Sequence, residues 1–308
     1  MIMKIFLVLL LTVITLTGCS INTLVANALT GEGSAVVFTG DPDPQLVGDA
    51  LPFAIKMYEA LLEANPRHQR LMYVTGSLII MYANAFVQGP AEMLPHSEWR
   101  ARDEGLSRAK QLYLRGSDII YQALDTRHRG FTKAARDGNL QLILARCKKD
   151  DAGLLYWAVA GGLAAYSIDV LDFELSARIP EWTLMLQRAY ELDPNYGVAA
   201  LDELLFLFYA SLPELMGGDR ERAEFHFQQA LEKTGGNSAG IFVSHAQVIS
   251  IPAQDYETYK EFLERALSID PDIDISNRLI TVITQQKARW LLDNAYLYFS
   301  FLPIPDDY

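Results

Sequence analysis

Three stretches of this chain repeat one helical pattern, and that pattern constrains the fold more than any other feature. They are WTLMLQRAYELDPNYG (182–197), AEFHFQQALEKTGGN (223–237) and YKEFLERALSIDPD (259–272). Each carries an aromatic or small residue, an apolar residue four positions on, and an alanine seven positions on: Ala189, Ala230 and Ala266. Proline stands five residues after two of these alanines, at Pro194 and Pro271. An earlier stretch, AIKMYEALLEANP (54–66), keeps the apolar spacing. On a helix such positions share one face. Alanine there lets two helices approach closely, and proline stops the helix and turns the chain. Each helix pair buries that face only against a neighbour.

The pattern resembles the second helix of a tetratricopeptide repeat. The alanines lie 41 and 36 residues apart, against roughly 34 in the ideal repeat. The repeats are therefore expected to be degenerate and to carry insertions. Apolar residues recur at helical spacing over 97–127, 132–147, 151–170, 180–192, 195–211, 219–234, 238–250, 255–269 and 273–299. No run alternates as a strand would. The expected fold is all-α, a superhelix of helix-hairpin, tetratricopeptide-like repeats.

Nearer the start, Asp43 is placed to cap a helix with Pro44 in its first turn. Pro52 is expected to kink or restart that helix, and Asn65–Pro66 to end it. The helix over 67–87 is apolar on nearly every side. Thr75, Gly76, Ser77 and Asn84 interrupt it, so it reads as a buried central helix. GPAEMLP (89–95) reads as a loop. The charge-rich segment 97–110 reads as a solvated face.

The first residues, MIMKIFLVLLLTVITLTGCS, place one lysine before a short apolar run. The run is too short for a bilayer, which takes about 20 residues, and has the layout of a secretory signal. LTGC, ending at Cys19, resembles the bacterial lipobox. That resemblance implies a lipid on Cys19 and cleavage just before it. The plainer alternative is ordinary secretory cleavage with Cys19 unmodified. The expected organisation is a signal peptide over 1–18, a lipidated tether over 19–40 and one helical domain over 41–308. Ser20 after Cys19 fits anchoring in the outer rather than the inner membrane of a bacterium, with the body in the periplasm. Cys147 is then the remaining free thiol, so no internal disulfide is expected. Lys148 and Lys149 beside it could activate a thiol, but the plainer reading is a structural cysteine.

The formal net charge is −12, with 26 basic and 38 acidic residues. No basic patch stands out, which argues against a nucleic-acid partner. In LPELMGGDRERAEFHFQQALEKTGGN (212–237), Gly217 and Gly218 read as the turn after a helix end, and Asp219 as the cap of the next helix. A phosphate loop would need a lysine and a hydroxyl residue after a strand. Glu224 and His226 are two apart and point to different faces, so no metal site is expected. The five histidines (68, 96, 128, 226, 245) are scattered. No nucleophile elbow or zinc-protease motif occurs. Glu203 and Glu214 are acids of the kind a hydrolase pairs, but no spacing singles them out. No catalytic residue and no cofactor is expected.

With these residues in view, the chain resembles the T component of tripartite ATP-independent periplasmic (TRAP) transporters, a family of lipoproteins with cryptic tetratricopeptide repeats. The resemblance rests on the lipobox, DPDPQLVGDALPFAIKMYEALLEANPRH, YANAFV, LYLRGSDIIYQAL, LLYWAVAGG, ELDPNYG, the LPELMGGD block and NRLITVITQQKARWLL. It implies a membrane-tethered periplasmic partner of a TRAP substrate-binding protein. It also implies homo-oligomeric assembly and a pore or cleft for a hydrophobic ligand. Tyr82, Phe86, Tyr156, Trp157 and Trp182 are the aromatics a ligand or partner surface would use, although aromatics at helical spacing most often belong to a core. The runner-up reading is a structural repeat lipoprotein of an outer-membrane assembly complex.

Overall fold

A computed structural model describes Ala26 and residues 36–303. The signal segment, Cys19 and most of the expected tether lie outside the described residues. The described residues are all-α, with no strand.

The first long helix, α1 (Pro44–Ala64), starts as its sequence predicts. Asp43 Oδ1 accepts from the amides of Gln45 at 3.0 Å and Leu46 at 3.1 Å. Pro52 neither stops nor restarts it: α1 is one helix, burying Val47, Leu51, Ala54, Ile55 and Tyr58. After Asn65, His68 caps α2 (Gln69–Ala83), its Nδ1 accepting from Leu71 N. The loop expected at 89–95 is shorter: the helical path runs on to Glu92 and only residues 93–95 are non-helical. A π turn at Asn84–Gln88 leads into Gly89–Glu92. The whole path is long and apolar enough to cross a membrane, yet 61% of its most apolar window is buried inside the protein.

Next come α3 (Trp99–Arg127), the short α4 (Phe131–Arg136) and α5 (Leu140–Leu144), then α6 (Ala152–Ile168). Sequence periodicity predicts one helix over 132–147; Gly138, at φ +74°, divides it. Helices α2, α3 and α6 pack closely. At their crossing a Cβ on Gly76 would come within 2.7 Å of Ile120 and 2.8 Å of the Gly116 carbonyl. Glycine at both positions lets the backbones of α2 and α3 nearly touch.

The remaining helices are α7 (Ile179–Leu192), α8 (Ala200–Ser211), α9 (Arg220–Thr234), α10 (Ala239–His245), α11 (Tyr256–Ser268) and α12 (Arg278–Asp293). They pair in sequence order: α8 with α9, α10 with α11, α11 with α12. Ala189, Ala230 and Ala266 are each fully buried. Between α8 and α9, Gly217 is left-handed at φ +102°. A Cβ on Gly218 would overlap the Leu212 carbonyl. Asp219 then caps α9 by accepting from Arg222 N at 3.0 Å.

α12 returns to the beginning of the chain. It packs against α1 and the short helical segment Val36–Thr39. Arg278 donates to the Gly40 carbonyl at 3.3 Å, and Lys287 pairs with Glu92 at 2.9 Å.

Candidate functional site

Where α12 meets the π turn after α2, the first and last helices leave a cavity of about 490 Å³. Its apolar wall includes Phe86, Met93 and Ile283; its polar wall includes Asn84, Gln286 and Thr284. A π turn carries one residue more than an α-turn and often marks a functional site. Here it spans Asn84–Gln88, four residues of which (Asn84, Ala85, Phe86 and Gln88) line the cavity.

A polar chain runs through the cavity wall. Tyr113 on α3 donates to Gln88 Oε1, Gln88 Nε2 donates to Glu92 Oε1 at 2.7 Å, and Lys287 on α12 closes the series on Glu92 Oε2. Burial pushes the Tyr113 phenol well above its ordinary pKa of 10.0, so it stays a neutral donor. Asp43 and Glu92 against Lys287 leave the lining with one more formal negative charge than positive.

Phe86 lies across Gly48 of α1, where an added Cβ would come within 2.8 Å of its ring. Behind it Tyr82 is stacked at 5.9 Å, with the Arg108 guanidinium 5.8 Å from the Tyr82 ring. Phe86 thus lines the cavity, and Tyr82 supports it from beneath.

Tyr156 and Trp157 belong to a different constellation. Trp157 Nε1 donates to Tyr73 Oη at 3.2 Å, and the hydroxyls of Tyr73 and Tyr196 share a 2.7 Å hydrogen bond. Tyr156 lies 5.1 Å from the Trp157 ring and 5.2 Å from that of Tyr196. Close by, Glu203 accepts from Ser238 Oγ at 2.5 Å. Burial raises the Glu203 pKa, with the Asp202 charge adding to the shift and the Ser238 bond opposing it. The cluster gathers α2, α6, the α7–α8 link, α8 and the segment entering α10. Trp182 is a third case: it is fully buried between α6 and α7 and presents no face to a ligand.

Asp202, also fully buried, accepts from His226 Nδ1 at 2.8 Å and Lys233 Nζ at 2.5 Å. This network ties α8 to α9 and gives His226 a structural partner. The site residues that periodicity does not reveal are Gln88, Glu92, Lys287, Tyr73 and Tyr196. They come from helices remote in sequence, and no local motif signals their meeting. Pro194 and Pro271 sit at helix ends, where Pro194 O accepts from Lys233 and Pro271 opens a 3₁₀ turn.

A family model described as TRAP transporter T-component matches residues 40–299. A protein of Treponema pallidum (strain Nichols), described as an uncharacterized protein, is 38% identical over 266 residues. That alignment covers 85% of this chain and 82% of the Treponema protein.

Proposed function

The chain belongs to the T-component family of TRAP transporters, and from that premise we propose that it docks the substrate-binding protein of a TRAP system and assists solute uptake without chemistry of its own. The family match carries this reading, since it runs from before α1 to beyond α12 and so takes in every paired helix. Stacked helix pairs offer extended surfaces suited to a protein partner.

In this reading a lipid on Cys19 anchors the protein in the periplasm, at the outer membrane, and copies of the chain associate. Anchoring raises the local concentration of the partner, so a weak contact serves. A dissociation constant in the micromolar range, about −8 kcal/mol, is sufficient. The cavity beside Phe86 fits a ligand with an apolar body and a polar end: Phe86, Met93 and Ile283 cover the body, and the amides of Asn84 and Gln286 meet the end.

The test is calorimetry or analytical ultracentrifugation of fragment 20–308 with the substrate-binding protein encoded beside it. A complex is expected. Its absence near 100 µM (roughly a hundredfold above the micromolar range), with both proteins folded, overturns docking and favours the outer-membrane assembly role. The anchor is tested separately. Mass spectrometry should find the mature chain beginning at a lipid-bearing Cys19, and Cys19→Ser should abolish that mass increment.

A further inference from the structure

Three chemically distinct side chains meet where α3 ends and α6 begins. His128 follows the last residue of α3, Cys147 lies in the link beyond α5, and Asp151 stands at the N-cap of α6. One ligand-capable atom of each lies within 4.8 Å of the other two. Cys147 and Asp151 are buried, at 3% and 1% exposure, and His128 forms the half-buried rim.

The surroundings hold a carboxylate in place. Asp151 Oδ2 accepts from Lys148 N at 2.7 Å and lies 3.1 Å from His128 Nε2. Asp151 Oδ1 is different. Arg127 Nε approaches it to 2.6 Å, but the N–H does not lie along a hydrogen-bond direction, and the oxygen has no hydrogen-bond partner. The oxygen is thus charge-paired with Arg127 but keeps lone pairs that no N–H or O–H occupies. Arg188 donates to the carbonyls of Leu144 and Cys147. It thereby fixes the backbone that carries the thiol.

The geometry points to a zinc site at this junction, with His128 Nε2, Cys147 Sγ and an Asp151 carboxylate oxygen as its three protein ligands and a water in the fourth position at the His128 rim. The donor set of imidazole, thiolate and carboxylate suits Zn²⁺, with bonds of about 2.0–2.3 Å. Tetrahedral bonds of that length put ligand atoms roughly 3.5 Å apart; His128 Nε2 and Asp151 Oδ2 are already 3.1 Å apart, and no edge of the trio, all within 4.8 Å, has to close by more than about an ångström. On binding, the Cys147 thiol proton leaves to solvent, and the metal takes the place of any hydrogen between His128 Nε2 and Asp151 Oδ2. The neutral imidazole then keeps its proton on Nδ1. Arg127, whose guanidinium also lies 3.7 Å from the exposed Asp150 carboxylate, has a second anion to turn to. The metal would staple the ends of α3 and α6 across the α4–α5 excursion.

The test uses the full chain, stripped of metal and titrated with ZnCl₂ by calorimetry, and with Co²⁺ followed by absorbance. The expected result is one Zn²⁺ per chain, a rise in Tm on binding, and a thiolate-to-cobalt charge-transfer band. Cys147→Ala and His128→Ala should weaken zinc binding by at least tenfold, and Cys147→Ala should abolish the band. Circular dichroism checks that each variant is folded. Cys147→Ala is a small change and carries the test if His128→Ala fails to fold. No zinc binding by the wild-type chain overturns the site. So does equal affinity in Cys147→Ala, or a band that survives it, since either result puts the metal elsewhere.

Discussion

Gly162→Ala tests how tightly α6 is fitted against α7. A methyl group at Gly162 would overlap Trp182 Cζ2 and sit 2.7 Å from Cε2 and 3.1 Å from Nε1. Comfortable carbon contacts lie at about 3.5–4.0 Å. Relief therefore needs either a shift of the helix or a turn of the indole, and Trp182 is fully buried with no space to turn into. Overpacking of this kind costs about 1–3 kcal/mol. Alanine recovers about 1 kcal/mol through its better helix propensity. The contact is with a large, enclosed ring, so the cost falls toward the upper end, and the net loss is about 1–2 kcal/mol. For a chain of this size that lowers Tm by about 2–8 °C.

Thermal unfolding followed by circular dichroism reads the shift. Gly240→Ala is the control, because its methyl would meet Glu203 and Ser238 at 3.6 and 3.7 Å, which is ordinary contact. It should leave Tm unchanged or slightly raised. Trp182→Phe should rescue Gly162→Ala in part. The smaller ring vacates the overlapped space and removes an indole N–H that has no hydrogen-bond partner. A Gly162→Ala chain as stable as wild type, or strict additivity in the double variant, would refute the fitted contact.

Asp202→Asn removes the charge that His226 and Lys233 share and should cost about 3–5 kcal/mol, as for other broken buried pairs; urea unfolding checks it. Ala230→Phe should cost about 1–3 kcal/mol, occasionally more, while Glu221→Gln at an exposed first turn should cost under roughly 1 kcal/mol; equal melting shifts would deny a packed seam at Ala230. Glu203→Gln should change the pH dependence of stability. The folded pKa of Glu203 is raised above its ordinary 4.5, so the unfolded chain loses that proton first and the wild type loses stability as pH rises through the interval. The Tm of Glu203→Gln relative to wild type should therefore be higher at pH 7 than at pH 4, and a constant difference would count against a buried acid.

Much of the fold is legible in the sequence because its signals are local. The Asp43 and Asp219 caps, the left-handed Gly217 and the buried alanines all follow from spacings of a few residues. Pro52, expected to kink or restart α1, does not restart it: the helix runs through, burying Leu51 before the proline and Ala54 and Ile55 after it. The π turns at Asn84–Gln88 and Ala246–Ser250 are each followed within two residues by a proline, Pro90 and Pro252, which lacks the amide a regular helix would use; apolar periodicity does not show that the helical path continues through them with one residue more. The aromatic candidates separate only in three dimensions. Phe86 reaches the cavity, while Trp182 is sealed between helices. Tyr156 and Trp157 join Tyr73 and Tyr196, which are 123 residues apart. His128 near Cys147 is invisible to motif reading for the same reason, because α4 and α5 intervene.

The cavity exists only because α12 comes back to α1 and α2, which makes it a property of the whole stack. The ion pair across it joins residues 195 apart in sequence, yet it does not hold the junction together. Both side chains are 26% exposed, and pairs of that kind contribute at most about 1 kcal/mol. Closure rests instead on α12 packed against α1 and the short helical segment Val36–Thr39, and on Arg278 reaching the Gly40 carbonyl. Once the intervening helices are stacked, the entropy of bringing the ends together has largely been met, because closure entropy grows only slowly with chain length. Loss of Lys287 alone would thus leave the cavity formed and change its charge. Loosening of any packed pair along the stack would shift the position of α12 and with it the cavity wall.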